Sequence, residues 1–375
     1  MIYAKGQRII ILMIDGFDMD YYHNSHMPVM QRLAAQGIFK SGRCIFPSLT
    51  NANNISIACG CWPENHGVTT NCYFNEVTGT AEFLEDASFL CAPTIFDQAL
   101  TQGVQSALLT CKSKTTKILG KSVALAVAAE APGKDIEARF GSPPPMYSAD
   151  INYWLCKVGL DIIHRQPEIG LLYLHTTDYP MHMWPCEAPE SQAHMSKLDV
   201  YLGMIREAAP EAVIIVTADH GMNYKKRCWD LSKACSNRGL PLRFAVSPVA
   251  DRLVKHHRGF GGVSYVYLND NGKRQEEAIE LIKTLDGVED VLDRQTAATR
   301  FKLMASRIGD LVVLPDIDTV FGDLQTESEQ LDPAYRSHGS LHEMDIPLLL
   351  FNPKGAYPDP EEIQHNIDLT RLLFN

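Results

Sequence analysis

No stretch of this chain is apolar for long enough to span a bilayer, and there is no surplus of basic residues to hold a nucleic acid. The balance runs the other way. With 34 Lys and Arg against 45 Asp and Glu the net charge is -11, which disfavours a phosphate-backbone partner and leaves carboxylates to serve as metal ligands. A signal-peptide pattern is also lacking. Met1–Arg8 has none, and the first apolar run reaches Asp15 with no small-residue cleavage site after it, so the cytoplasm is the expected compartment. Cysteine is not scarce, at ten residues, but zinc-ribbon and redox spacings are missing. Cys59-Gly60-Cys61 fits neither, and Cys44, Cys91, Cys111 and Cys156 are scattered through core-like segments, so reduced thiols are expected. No internal repeat or low-complexity tract stands out. A chain that is 45% hydrophobic and 21% charged is an ordinary globular composition with enough apolar residues for a large core.

What the chain does have is three short apolar runs that each end in aspartate: Ile9–Asp15, Leu171–Asp178 and Val213–Asp219. β-branched runs of this length suit central strands covered on both faces. Between and around them the pattern alternates. Helices are expected from Pro28 to before Gly37, over Pro93–Gln102, over Ile151–Arg165 and over Ser191–Ala209, with a strand at Ser106–Thr110. The reading is therefore an α/β fold with a doubly wound, mostly parallel central sheet flanked by helices. After about residue 240 the segments shorten. Strands are expected at 242–248, 263–268 and 309–316 around a helix at 275–285, with turn signals at Asn269-Asp270-Asn271-Gly272. These features place an inserted, smaller α+β cap at 223–335, and a catalytic core at 1–222 and 336–375 that closes on a last strand, Ile346–Phe351.

In open α/β sheets, functional groups collect at the carboxyl ends of the strands. Three aspartates meeting there repel one another unless positive charge sits between them. His182 follows Asp178 by four residues, His220 adjoins Asp219, and His338 precedes the last core strand in Ser-His-Gly. Carboxylate and imidazole together suit zinc, with manganese or iron as the other choices. Taken singly, a strand-end Asp is more often a helix cap and a loop His more often hydrogen-bonded structure. The coincidence of three such Asp, two with a nearby His, is what points to metal. His164, His175 and His194 lack that context and read as structural.

Phe46-Pro-Ser-Leu-Thr50-Asn-Ala-Asn-Asn54 reads as a polar turn leading into a helical stretch at Ile55–Ala58. Thr50 lies near the helix start, where backbone N–H groups favour anions. Its hydroxyl suits an N-cap. Beside a divalent metal it also suits a nucleophile, because coordination lowers its pKa. Asn71, after His66-Gly-Val, is placed to donate to a phosphoryl oxygen. Lys112 and Lys114 alternate beyond the Ser106–Thr110 strand, so an extended chain sends them to opposite faces. A turn at the strand end lets both reach one site. The bland alternative is a solvated cluster with Lys117 and Lys121.

Taken together, Asp15, Phe-Pro-x-x-Thr50-Asn, Pro63-Glu-Asn-His66-Gly-Val-x-x-Asn71, Asp178-x-x-x-His182, Asp219-His220-Gly221-Met222 and Ser-His338-Gly resemble the alkaline phosphatase superfamily, in its nucleotide pyrophosphatase/phosphodiesterase branch. The resemblance runs from residue 8 to about 352. More narrowly, Ser48–Ile57, Ala92–Phe96, Cys111-Lys-Ser-Lys114, Thr176-Thr-Asp-Tyr179 and Arg307–Val312 resemble the phosphonoacetate hydrolase family. That resemblance implies two Zn2+, one held by Asp178, His182 and His338, the other by Asp15, Thr50, Asp219 and His220. It implies that Thr50 is the nucleophile, that Asn71 binds the phosphonyl group, and that Lys112 and Lys114 bind a substrate carboxylate. The implied reaction cleaves the carbon–phosphorus bond of phosphonoacetate to acetate and phosphate through a phospho-threonine.

Such a cleavage expels a carbanion, and a carboxylate on the adjacent carbon spreads that charge into an enediolate which cations can stabilise. The expected partner is thus a small organophosphonate, with no nucleic acid and no membrane; a homodimer is left open. A nucleotide phosphodiesterase/pyrophosphatase or phosphomonoesterase with the same site is the alternative, for which Tyr73, Tyr179 and Trp184 could form an aromatic slot. A mutase or sulfatase fits less well, since such enzymes use Ser or a modified residue where this chain has Thr50. A non-catalytic metal-binding module would hold the metal without hydrolysis.

Overall fold

A computed structural model describes residues 6–251, 255, 258–269 and 273–374. Asp270-Asn271-Gly272 of the expected turn lie outside the described residues. Among those described, no helix is long and apolar enough to cross a membrane.

The core is a seven-stranded sheet. Its strands in chain order are β1 (Ile9–Met13), β2 (Ile38–Arg43), β3 (Gln105–Thr110), β4 (Leu125–Ala128), β5 (Ile169–His175), β6 (Val213–Thr217) and β7 (Asp345–Phe351). They lie in the spatial order β2-β7-β6-β1-β5-β3-β4. β1 pairs parallel with both β5 and β6, and β3 pairs parallel with β5 and β4. Only β7 runs against its neighbours, β2 and β6. Every residue of β1 and β6 is buried, as strands covered on both faces require. Long helices at Asp150–Arg165 and Pro189–Ala208 and a shorter one at Pro28–Gln36 cover the sheet, each within two residues of its expected start.

The strand order does the work of assembly. β6, β1 and β5 are neighbours, so the loops bearing Asp219, Asp15 and Asp178 emerge side by side from one edge. β3 comes next in the row and delivers Lys112 to the same edge.

One element departs from expectation. The helix over the nucleophile begins at Thr50, not at Ile55, and runs to Cys59 with every residue buried. Asn and Ser are poor helix formers because their side chains compete for backbone groups. Here tertiary partners occupy them. Asn53 accepts from the Ile45 N–H at 2.8 Å and donates to the Ile45 and Pro47 carbonyls at 3.1 Å each. Asn54 is used in the site described below.

The stretch 223–335 carries its own four-stranded sheet, built from Phe244–Val246, Ser264–Tyr267, Leu311–Pro315 and Val288–Asp293 in spatial order. Its helix, Gln275–Lys283, packs Ala278 and Ile282 into a separate apolar cluster. Asn223-Tyr224 and Arg336-Ser337 pair antiparallel, so the chain leaves and rejoins the core at one place. Behind that crossing Lys225 and Glu343 form an ion pair of 2.7 Å with both side chains fully buried. Glu343 also accepts from the Ser340 N–H and hydroxyl at 2.9 and 2.6 Å, which fixes the loop bearing His338.

Candidate metal centre and active site

Asp15, Asp219 and His220 are fully buried, and Asp178, His182 and His338 nearly so. What distinguishes this cluster from ordinary buried ion pairs is the tautomer of its histidines. His220 Nδ1 lies 2.9 Å from the Gly221 carbonyl, His338 Nδ1 2.8 Å from the Ser48 carbonyl, and His182 Nδ1 3.0 Å from the Arg336 carbonyl. A carbonyl only accepts, so each Nδ1 carries a proton, and in the neutral ring each Nε2 presents a lone pair. Those lone pairs face carboxylate oxygens. His220 Nε2 is 3.4 Å from Asp15 Oδ1 and 3.4 Å from Asp219 Oδ2, His182 Nε2 is 2.9 Å from Asp178 Oδ2, and His338 Nε2 is 3.9 Å from it. Among the described residues, Asp15 Oδ1 and Asp219 Oδ2 have no basic or neutral hydrogen-bond donor. Electron pairs converge on electron pairs, and a buried arrangement of that kind needs a cation at its focus. Three oxygens and three imidazole nitrogens are the donor set zinc prefers. Two groups, Asp178 with His220 and His338, and Asp15 with His175 and Asp219, each bring their ligand atoms within 4.8 Å of one another.

His220, expected with Asp15 and Asp219, stacks on His338 with ring centroids 3.6 Å apart and stands between the two groups. His175, read from sequence as structural, reaches the site. Its Nε2 lies 3.4 Å from Asp15 Oδ2, while its Nδ1 lies 3.0 Å from Asn54 Nδ2. Asn54 Oδ1 in turn accepts from the Tyr173 hydroxyl at 2.6 Å. With Asn54 donating to Nδ1, the His175 proton is on Nε2 and points at Asp15. His175 is therefore a donor that orients Asp15, with no lone pair left on that side for a metal. Its only sequence signal is one polar residue at the end of an apolar strand. His164 and His194 lie elsewhere, bonded to the Leu160 carbonyl and the Tyr153 hydroxyl.

Burial, then repulsion by Asp178 and Asp219, pushes the Asp15 carboxyl up to about 7, and burial pushes Asp219 up to about 6. A carboxyl whose folded pKa exceeds its unfolded value holds more protons folded than unfolded, so its contribution to stability falls as pH rises between those values. Metal-free protein is accordingly expected to lose thermal stability as pH rises from about 4 to about 7, and added zinc to raise the melting temperature more at the upper pH. Melting curves in chelator and in zinc across that range check it; a zinc increment independent of pH would contradict the charge argument.

Thr50 opens its helix, 9% exposed, with Oγ1 3.3 Å from His220 Nε2. The pocket above it is lined by Asn51, Asn71, Lys112, Lys114, Thr115, Asp178, Val249, Asp251 and His338. The lysines do not alternate across a strand. β3 has ended, and Lys112 is the residue preceding a helix that starts at Ser113 and includes Lys114, so one turn of backbone brings both to the same pocket. Burial opposes the charge on Lys112, but Asp178, Asp15 and Asp251 outweigh it and its pKa rises. For Lys114 burial prevails and the pKa falls. Asn71 is engaged: its Nδ2 donates to the Val249 carbonyl at 3.2 Å and its Oδ1 accepts from the Asn51 N–H at 3.3 Å. Asp251, which pairs with Lys114 through Nζ and Oδ2, carries no local sequence signal; its partner is 137 positions away.

Parallel strands delivering Asp, Asp-His and a helix-borne hydroxyl to one edge define an alkaline-phosphatase-like metal site. The type I phosphodiesterase / nucleotide pyrophosphatase family model matches residues 9–341, and the chain belongs to that family. Among solved structures, phosphonoacetate hydrolase from Sinorhizobium meliloti 1021 in complex with phosphonoformate superposes with a TM-score of 0.85 at 30% identity, covering 97% of this chain and 95% of that one. Murine ectonucleotide pyrophosphatase / phosphodiesterase 5 shares the fold at a TM-score of 0.71 and 17% identity, over 98% of this chain and 94% of that one. Among curated sequences, an uncharacterized pyrophosphatase/phosphodiesterase of Schizosaccharomyces pombe is 24% identical over 57% of this chain and 44% of its own length. Human ectonucleotide pyrophosphatase/phosphodiesterase family member 5 is 23% identical over 58% of this chain and 45% of its own. The chain thus spans under half the length of these two curated relatives.

Proposed function

We propose that the chain is a dinuclear-zinc hydrolase that cleaves phosphonoacetate to acetate and phosphate through a phospho-Thr50 intermediate. The observation that carries this reading is the placement of two lysines, Lys112 and Lys114, in the same small pocket as Thr50 and the metal-ligand cluster. A phosphate ester needs no cation beyond the phosphoryl site. A phosphonate with an adjacent carboxylate does. The whole-chain likeness to a phosphonoacetate hydrolase supports the same substrate.

The donor set fits two zinc ions held by Asp178, His182 and His338, and by Asp15, Thr50, Asp219 and His220. Bound there, zinc would lower the Thr50 pKa and neutralise phosphonate oxygens. Thr50 Oγ1 attacks phosphorus, its proton passing to water, and the new P–O bond forms as the C–P bond breaks. The C–P electron pair moves into the acetate as an enediolate, which Lys112 and Lys114 stabilise and solvent protonates. Water then attacks the phosphorus of phospho-Thr50, releasing phosphate and restoring the hydroxyl. Asn71 bears on the phosphonyl group once its bond to Val249 gives way.

Phosphate release from phosphonoacetate by zinc-loaded protein, run beside para-nitrophenyl phosphate and a nitrophenyl nucleotide ester, tests the reading. Dominant, chelator-sensitive release from phosphonoacetate is expected. Release from the esters alone would favour a phosphodiesterase. One observation speaks for that second reading: Tyr179, next to Asp178, lies with Tyr147 and Trp184 at ring-centroid distances of 6.2 Å each, an aromatic group beside the site. Tyr73 is not part of it, being held by Phe89 and the Glu82 carboxylate.

A further inference from the structure

Both groups expected to grip the two ends of the substrate are engaged by one short segment, Pro248–Asp251. The Pro248 carbonyl accepts from the Asn71 N–H at 2.7 Å and the Val249 carbonyl from Asn71 Nδ2 at 3.2 Å. Two residues on, the Asp251 carboxylate is paired with Lys114, the two side chains only 7% and 6% exposed. The segment is anchored. Val249 belongs to an apolar cluster with Ile45, Leu49, Ala52 and Ile367. It also sits where a Cβ on Gly339, at φ +114°, would come within 2.8 Å of it. A substrate carboxylate that takes the Asp251 position on the Lys114 ammonium must displace Asp251 from it.

The chemistry of the occupant matters. Asp251 offers Lys114 the group that phosphonoacetate would offer, a carboxylate. A buried ammonium without a partner is costly, and burial already lowers the Lys114 pKa. We infer that Asp251 is a resident stand-in for the substrate carboxylate: it keeps Lys114 paired in the free enzyme and is displaced as the substrate binds, which makes it a specificity-determining residue. The inference rests on the phosphonoacetate reading. It has a consequence opposite to that of an ordinary binding residue. Every carboxylated phosphonate must compete with Asp251, whereas a carboxyl-free phosphate ester need not, so Asp251 lowers apparent affinity selectively for the former.

The test uses the full, zinc-loaded chain and Asp251→Asn, with Asp251→Ser as a second variant should the first fold poorly; both retain an acceptor for the ammonium. KM for phosphonoacetate is expected to fall about ten-fold relative to KM for para-nitrophenyl phosphate, the scale of one charge-assisted hydrogen bond no longer exchanged. Calorimetric titration of phosphonoacetate into Thr50→Ala protein, with and without Asp251→Asn, should show the same gain without turnover. An unchanged or rising KM ratio would overturn the inference, since it is what a residue that merely orients Lys114 would give. Should the unsubstituted protein hydrolyse the esters but neither bind nor cleave phosphonoacetate, the substrate reading itself fails and the stand-in role with it. If it cleaves phosphonoacetate and the ratio does not move, only the stand-in role is lost.

Discussion

Thr50→Ala protein is expected to bind zinc and phosphonoacetate and to release almost no phosphate, a loss of roughly 10^3-fold or more in kcat, as removal of an attacking nucleophile gives. The asymmetry between metal and turnover follows from the geometry. The Thr50 hydroxyl lies 3.3 Å from His220 Nε2. The charged donors, Asp15, Asp178 and Asp219, sit on loops from separate strands whose positions do not depend on it. Losing one neutral ligand of several would weaken metal without removing it, whereas the other hydroxyl lining the pocket, that of Thr115, belongs to a different helix, Ser113–Leu119. The fold should tolerate the change. Alanine is the best helix former, the buried volume removed is small, and Leu49 rather than Thr50 precedes the helix, so no N-cap is lost. Thr50→Ser restores the hydroxyl and should recover a large part of the rate. Zinc content by elemental analysis, melting temperature and phosphate release, measured together, separate the cases. Full activity in Thr50→Ala would remove the phospho-threonine route. Equal loss of zinc and activity would make Thr50 a ligand first and leave its chemistry open.

The cluster of carboxylates and histidines was legible because its signal is local. Three apolar runs ending in Asp, two with His within four residues, survive reading one segment at a time, and the central position of β1 between β5 and β6 turns that coincidence into a site. What was not legible depends on partners distant in the chain. The Thr50 helix begins five residues before its apparent start because Asn53 and Asn54, weak helix formers in isolation, find acceptors and donors on Ile45, Pro47, His175 and Tyr173. Their burial outweighs propensity, and no periodicity records it. His175 differs from a core histidine only in the direction of its Nε2 proton, which a sequence does not display. That Lys112 and Lys114 share a pocket was open from the sequence, since strand periodicity sends them to opposite faces and only a turn past Thr110 brings them together. The change from strand to helix occurs at Ser113, whose N–H is held by Glu130. Asp251 shows the limit most plainly: a single acidic residue in an unpatterned segment acquires meaning only through Lys114.

The second large effect separates the substrates. Lys112→Ala is expected to reduce kcat for phosphonoacetate by about 10^2 to 10^3, the loss seen when a donor to a developing oxyanion is removed, and to change para-nitrophenyl phosphate hydrolysis by less than about ten-fold. The difference lies in the leaving group. Nitrophenolate carries its own charge comfortably, so a cation near it adds little. The acetate carbanion does not exist as such in water, and its charge must move to the carboxylate oxygens as the C–P bond lengthens, where a fixed ammonium stabilises it. Lys112 suits this role better than Lys114. It is held charged by Asp178, Asp15 and Asp251 despite burial, and that charge is in place before the substrate arrives. Lys114 must first exchange Asp251 for the substrate carboxylate. Lys112→Ala should therefore act mainly on kcat and Lys114→Ala mainly on KM, a split that steady-state rates on both substrates will show. Loss of ester hydrolysis to the same extent as phosphonoacetate cleavage would mean that Lys112 supports the phosphoryl or metal site instead, and the pocket's charge would then favour the phosphodiesterase reading.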